Sequence, residues 1–203
     1  STMTDVTHLC HFDIPLLSNI PNLVYLAPTN REEYLAMLDW SIGYREHPVA
    51  IRVPVGLTVP ARRPVPTDYS CLNRYEVVSR GKDVAVLALG NFFTLGEKVC
   101  AVLREKGIDA TLVNPRYITG VDTALMESLK SDHRVVVTLE DGAVEGGFGE
   151  KIARHFGSSD MKVLCYGARK EFVDRYVLAD FLAANRLRED LVAEDVMKTI
   201  GQM

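Results

Sequence analysis

Val84-Ala85-Val86-Leu87-Ala88-Leu89-Gly90 is an unbroken apolar run with no polar residue to alternate against. A strand with one wet face alternates, and one covered on both faces does not. This run therefore reads as a parallel strand with helices on either side. Downstream, Thr94-Leu95-Gly96-Glu97 has the spacing of a capping box and opens a helix to about Lys106, with Val99, Val102 and Leu103 inward and Gly107 as its stop. Ala110–Val113 is the next strand, Thr123–Leu129 the next helix and Arg134–Leu139 the next strand. A helix at about Gly149–His155 and a strand at Val163–Tyr166 follow, then helical segments from about Glu171 and from Glu189. Just upstream, Tyr75–Val78 is a short strand. Strands alternating with helices make an open, mostly parallel α/β sheet.

Further upstream, Pro21-Asn22-Leu23-Val24-Tyr25-Leu26-Ala27-Pro28 is a short apolar run between two prolines, the mark of a buried strand. Thr29-Asn30-Arg31-Glu32 reads as a second capping box. The helix it opens carries Leu35, Leu38 and Ile42 on one face, widened by Tyr34, Met37 and Trp40. Pro48-Val49-Ala50-Ile51-Arg52-Val53-Pro54 is a second strand, so the segment is a βαβ unit with a parallel pair. Between the two patterns, Pro60, Pro64 and Pro66 punctuate a polar stretch over residues 59–74 that suits a semi-extended linker.

Composition narrows the function. Among 203 residues, 47% are hydrophobic and 25% charged, which excludes a disordered or fibrous chain. Lys+Arg 23 against Asp+Glu 27 gives −4, which argues against a nucleic-acid partner. No apolar run approaches the roughly 18–20 residues of a membrane helix, so no membrane partner is expected. Cys10, Cys71, Cys100 and Cys165 are far apart and form no C-x-x-C; with no secretory signal, they read as reduced thiols of a cytoplasmic protein.

Several chemical readings fail on spacing. The loop Gly142-Ala143-Val144-Glu145-Gly146-Gly147-Phe148-Gly149 lies between a strand and a helix, where amides can cradle phosphate. Its spacing fits neither dinucleotide nor P-loop patterns, and Glu140, Asp141 and Glu145 surround it without a lysine, so it reads as a structural turn or an interdomain contact. His8, Cys10 and His11 have no second cluster to complete a tetrahedral metal site, and no metal ligands are assigned. Cys100 on a helix face and Cys165 in a strand read as packed thiols. No G-x-S-x-G is present. His8 and Arg52 remain, one on each side of the βαβ unit. Arg52 stands near the carboxyl end of a parallel strand, where α/β proteins bind ligands. On spacing alone it is equally a ligand-binding cation or a salt-bridge partner, and His8 equally a site or a loop residue.

Thr7-His8, Phe12-Asp13-Ile14, Ile20-Pro21-Asn22-Leu23-Val24 and Ala27-Pro28 together resemble the transketolase family. Ala50-Ile51-Arg52-Val53-Pro54-Val55-Gly56 is similar to a stretch of its 1-deoxy-D-xylulose-5-phosphate synthase branch, and the Glu140-Asp141 to Gly149 loop resembles the family's C-terminal domain. The resemblance implies residues 1–58 as the end of a pyrimidine-binding domain, 59–74 as linker, and 75–203 as a three-layer C-terminal domain with about five strands. It implies a transferase that uses thiamine diphosphate and Mg²⁺ and condenses pyruvate with glyceraldehyde 3-phosphate, or transfers a two-carbon unit between sugar phosphates. His8 would face a substrate oxygen as the catalytic residue, and Arg52 and Asp13 would bind substrate. The chain departs from the branch at Thr4, where an aspartate is common, and at Val55, where a second arginine is common. It contains no G-D and has only seven residues before His8, so no cofactor-binding or metal-binding residue is assigned and the cofactor is expected to bind other sequence. The chain alone is expected to be inactive, to need its missing N-terminal region or a complementary subunit, and to self-associate through residues 1–58. A purely non-catalytic assembly module is the rival reading.

Overall fold

A computed structural model describes residues 11–54, 58–174 and 176–202. In chain order it contains α1 (Asp13–Leu17), β1 (Val24–Leu26), α2 (Arg31–Gly43), β2 (Val49–Ile51), β3 (Glu76–Ser79), β4 (Asp83–Ala88), a 3₁₀ turn at Gly90–Phe92, α3 (Phe93–Glu105) and β5 (Thr111–Asn114). Then come α4 (Thr123–Leu129), β6 (His133–Ala143), α5 (Phe148–Phe156), β7 (Lys162–Ala168), α6 (Leu178–Ala184) and α7 (Glu189–Gly201). The larger sheet has five strands in the order β3-β5-β4-β6-β7, and only the edge strand β3 is antiparallel.

The apolar run quoted first lies at the centre of this sheet and divides its side chains between two cores. Val84, Val86 and Ala88 pack with Val99 and Leu103 of α3 and Val192 and Val196 of α7. Ala85, Leu87 and Leu89 pack with Met126 and Leu129 of α4 and with Phe148 and Ile152 of α5. Each such large side chain contributes about 1.5–3 kcal/mol by leaving water. α3 can approach β4 closely because Gly96 faces it: a Cβ there would lie 2.5 Å from that of Ala88.

The second core continues into Tyr25 and Leu26 of β1 and Met37 of α2, so the smaller sheet shares its apolar interior with the larger one. β1 and β2 pair in parallel, Val24 opposite Val49 and Leu26 opposite Ile51. On its other edge β1 is held by the segment after β5: Ala27 N donates to the Arg116 carbonyl and Ile118 N to that of Tyr25, both at 2.7 Å.

Four local expectations fail for identifiable reasons. α2 is capped by Asn30, whose side chain accepts from Glu33 N, one residue later than the Thr29-to-Glu32 box. Its inward face carries Glu33 and Met37, while Leu35, Leu38 and Ile42 are 53%, 39% and 65% exposed. At 100° per residue these are opposite faces of one helix, and both carry apolar residues, so periodicity does not choose between them. α3 has no side-chain cap at Thr94, because the 3₁₀ turn feeds straight into it at Phe93. The described residues from Glu171 to Val177 form no helix, and α6 begins only at Leu178.

Candidate active site

The carboxyl end of β2 meets the carboxyl end of β6, and between them lies Arg52. Its backbone N donates to the Leu26 carbonyl at 2.8 Å, which continues the parallel ladder and fixes where the side chain leaves the sheet. The side chain is only 15% exposed. Nε donates to Asp13 Oδ2 (2.6 Å), Nη2 to Asp13 Oδ1 (3.2 Å) and to the Asp141 carbonyl, and Nη1 lies 3.5 Å from Asp141 Oδ2. Tyr25 Oη also donates to Asp13 Oδ2, at 2.7 Å. Burial works against the guanidinium charge, but Asp141 and Asp13 outweigh it and raise the pKa of Arg52. Burial and the hydrogen bond to Asp13 likewise raise that of Tyr25.

The structure therefore joins Arg52 and Asp13, two of the three residues singled out from the sequence, as an ion pair. Of the two readings left open for Arg52, the ion pair is present. One Nη1 proton still has no protein acceptor at short range among the described residues. His8, the third, lies outside the described residues, as does Cys10. His11 Nε2 is 3.1 Å from the Glu171 carbonyl. Asp13 is brought to this place because α1 is fastened to the larger sheet: Ala143 N donates to the His11 carbonyl (2.7 Å), and Lys151 Nζ reaches Ser18 Oγ (2.8 Å).

Two contributors escaped sequence reasoning. Asp141 and Asn91 enter from β6 and the 3₁₀ turn, and Asn91 Nδ2 donates to Asp141 Oδ2 at 3.0 Å. Asn91 also borders a crevice of about 250 Å³ with Pro28, Thr29, Tyr34, Val53 and Pro54. No motif marks Asn91; its placement just after the apolar run that ends in Gly90 is the sole cue.

A second buried network lies at the start of α2. Glu33, 2% exposed, accepts from Thr29 N and Oγ1 (2.7 and 2.8 Å), Asn114 Nδ2 (3.0 Å) and Arg116 Nε (2.9 Å), and Arg116 Nη2 continues to Glu76 (2.8 Å). Both Glu33 carboxylate oxygens have partners, as burial of a charge requires. This network ties α2 to β5 and β3 and was illegible, since a glutamate on an amphipathic helix is assigned to the wet face.

The glycine-rich loop is not an anion site. Glu140, fully buried, accepts from Phe148 N (2.8 Å) and Gly149 N (2.7 Å), so its own carboxylate occupies the start of α5. Gly147 is needed because a Cβ would lie 2.4 Å from Glu140 Oε2. Burial pushes the Glu140 carboxyl up to about 7 although both amide bonds favour its charged form. Nor do Cys100 and Cys165 offer a nucleophile: burial pushes Cys100 up to about 12 and also raises Cys165.

Comparison with known proteins follows the same lines. Residues 73–177 match the family model of the transketolase C-terminal domain. A protein named 1-deoxy-D-xylulose-5-phosphate synthase from Clostridium botulinum (strain Alaska E43 / Type E3) is 35% identical over 164 residues, covering 79% of this chain and 26% of the relative. One of the same name from Gloeothece citriformis (strain PCC 7424) is 32% identical over 197 residues, covering 95% of this chain and 31% of the relative. The chain thus spans about a third of the length of such relatives. Among solved structures, one titled a split gene transketolase, inactive β4 tetramer, superposes with a TM-score of 0.79 at 24% identity, over 95% of this chain and 62% of that one. A transketolase variant from Pichia stipitis superposes at 0.73 with 17% identity, over 98% of this chain and 28% of that one. A five-stranded, mostly parallel sheet, the superpositions and the match over residues 73–177 agree, and the chain belongs to the transketolase C-terminal domain family.

Proposed function

We propose that this chain is the acceptor-side part of a thiamine diphosphate-dependent transferase of the 1-deoxy-D-xylulose-5-phosphate synthase type, which condenses pyruvate with glyceraldehyde 3-phosphate with loss of carbon dioxide. The observation that carries this reading is Arg52: a largely buried guanidinium at the carboxyl end of a parallel strand, with an N–H left over after its ion pairs among the described residues. Such a group suits a phosphate, because a charged donor in a partly dry site is worth about 1.5–3 kcal/mol per contact. Asp13 acts on the substrate through Arg52, and His8 faces the reacting oxygen.

The described residues do not fit the cofactor itself. A diphosphate needs free amides or cations, and the amides at the start of α5 are taken by Glu140. Thiamine diphosphate and Mg²⁺ would be held by other sequence of the complete enzyme, in cis or from a complementary subunit, and no step is assigned to them here. The domain division at residues 58 and 74 and a cytoplasmic location belong to the same proposal; among the described residues, no helix is long and apolar enough to cross a membrane.

The test is kinetic. In the complete enzyme, Arg52→Ala is expected to raise the KM of glyceraldehyde 3-phosphate roughly tenfold to hundredfold with little change in kcat, the loss of one such contact. His8→Ala is expected to lower kcat. Equal, negligible effects overturn the placement. A non-catalytic assembly role is favoured by one specific finding, the superposition on a chain titled an inactive tetramer. Mixing the chain with the missing N-terminal region separates the two: recovered turnover supports the enzyme part, and none supports the assembly role.

A further inference from the structure

The segment that matches the C-terminal domain reaches Arg52 with two groups of opposite effect. The Asp141 carbonyl accepts from Nη2 and helps to hold the guanidinium plane. The Asp141 carboxylate, however, stands 3.5 Å from Nη1, the nitrogen with a proton to spare among the described residues. That is too long for a strong charge-assisted hydrogen bond, which runs nearer 2.7–2.9 Å. Asn91 accounts for the gap, because its Nδ2 donates to the same Oδ2 at 3.0 Å. Without that bond, nothing in the described surroundings holds the 41% exposed Asp141 side chain away from Nη1. It would take one of the two Nη1 protons at full strength and bring the second carboxylate against the guanidinium, a nearer negative charge that weakens phosphate binding at the other.

We propose that Asn91 is a specificity-determining positioning residue: it holds the Asp141 carboxylate at 3.5 Å from Arg52 Nη1 rather than tight against it, and so keeps Nη1 available to an acceptor phosphate. The C-terminal domain then sets acceptor selectivity from outside the βαβ unit. This rests on the reading of Arg52 as the acceptor-phosphate residue, and the experiment separates the two.

In the complete enzyme, Asn91→Ala is expected to raise the KM of glyceraldehyde 3-phosphate about tenfold, with kcat within twofold and the KM of unphosphorylated glyceraldehyde unchanged. Adding Asp141→Asn to Asn91→Ala is expected to return the KM to near the parent value, because the intruding charge is gone. A merely structural asparagine would not be rescued in that way. An unchanged KM in Asn91→Ala, or a defect that persists in the double variant, overturns the proposal. If Arg52→Ala also leaves that KM unchanged, the acceptor reading fails instead. The held geometry is then read directly in the 203-residue chain by nitrogen NMR of the Arg52 guanidinium, assigned by its loss in Arg52→Lys. Rotation about Cζ–Nη1 is expected to slow several-fold in Asn91→Ala and to recover in the double variant; no change there overturns the proposal as well.

Discussion

Arg116 and Glu33 show how much one residue can carry when it is buried with its charge. Arg116 sits in the left-handed region at φ 61°, so its side chain is aimed by an uncommon backbone shape. Its guanidinium, 14% exposed, spans Glu33 and Glu76. Arg116→Ala would strand a glutamate that is 2% exposed, and breaking a buried pair from one side costs about 3–5 kcal/mol. Urea unfolding should show that loss, and Arg116→Met combined with Glu33→Met should recover most of it, since replacing the whole pair by apolar groups is near neutral. The thiols give a second residue-scale expectation. Among Cys71, Cys100 and Cys165, only Cys71 is exposed, and burial raises the pKa values of the other two. Titration with a thiol reagent at pH 8 should label Cys71 rapidly and the other two only on unfolding. The sequence made the inert cysteines legible because each sits in an apolar run. It did not make Glu33 legible, because nothing local reveals that Arg116, Asn114 and Thr29 converge on it.

At the scale of elements, what could be read was what depends on neighbours in the chain, and what could not was what depends on distant packing. α4 and the start of α7 were legible residue for residue, and β4 was placed by its lack of alternation. The inward face of α2 was not, because it presents two opposed apolar stripes and β1 and β5 decide between them. The start of α5 was half legible: the glycines were visible, but not that Glu140 fills the terminus they open. That arrangement predicts a pH dependence. A carboxyl whose folded pKa is about 7, against 4.5 unfolded, binds more protons folded than unfolded between those values. Its contribution to stability therefore falls as pH rises from about 4.5 to about 7 and is level above. Glu140→Gln places an amide N–H₂ against a backbone N–H and should cost about 1–3 kcal/mol. Because the variant lacks the titration, its deficit in thermal unfolding should be largest near pH 5 and smaller at pH 8. A deficit that grows with pH would show that the amides hold Glu140 charged throughout.

Across the whole molecule, one surface is unlike the rest. The shared core covers one side of the smaller sheet, yet that sheet has only two strands, and purely parallel sheets are ordinarily covered on both faces and several strands wide. β1 is paired on both edges, by β2 and by residues 116–118, whereas β2 has no partner on its outer edge among the described residues. Beside it, Leu35, Leu38 and Ile42 form a continuous exposed stripe on α2. An unpaired strand edge beside an apolar helix face drives association. In the isolated 203-residue chain the available partner is a second copy, so light scattering at micromolar concentration should report a dimer or larger species. Replacing the stripe with Leu35→Glu, Leu38→Lys and Ile42→Glu should shift it to a monomer while leaving thermal unfolding of the main cores within a few degrees, because these side chains are exposed and none belongs to the buried cores. A parent chain that is monomeric under those conditions would mean that the edge and stripe are sheltered within the chain itself, and the expectation of self-association through residues 1–58 would fall.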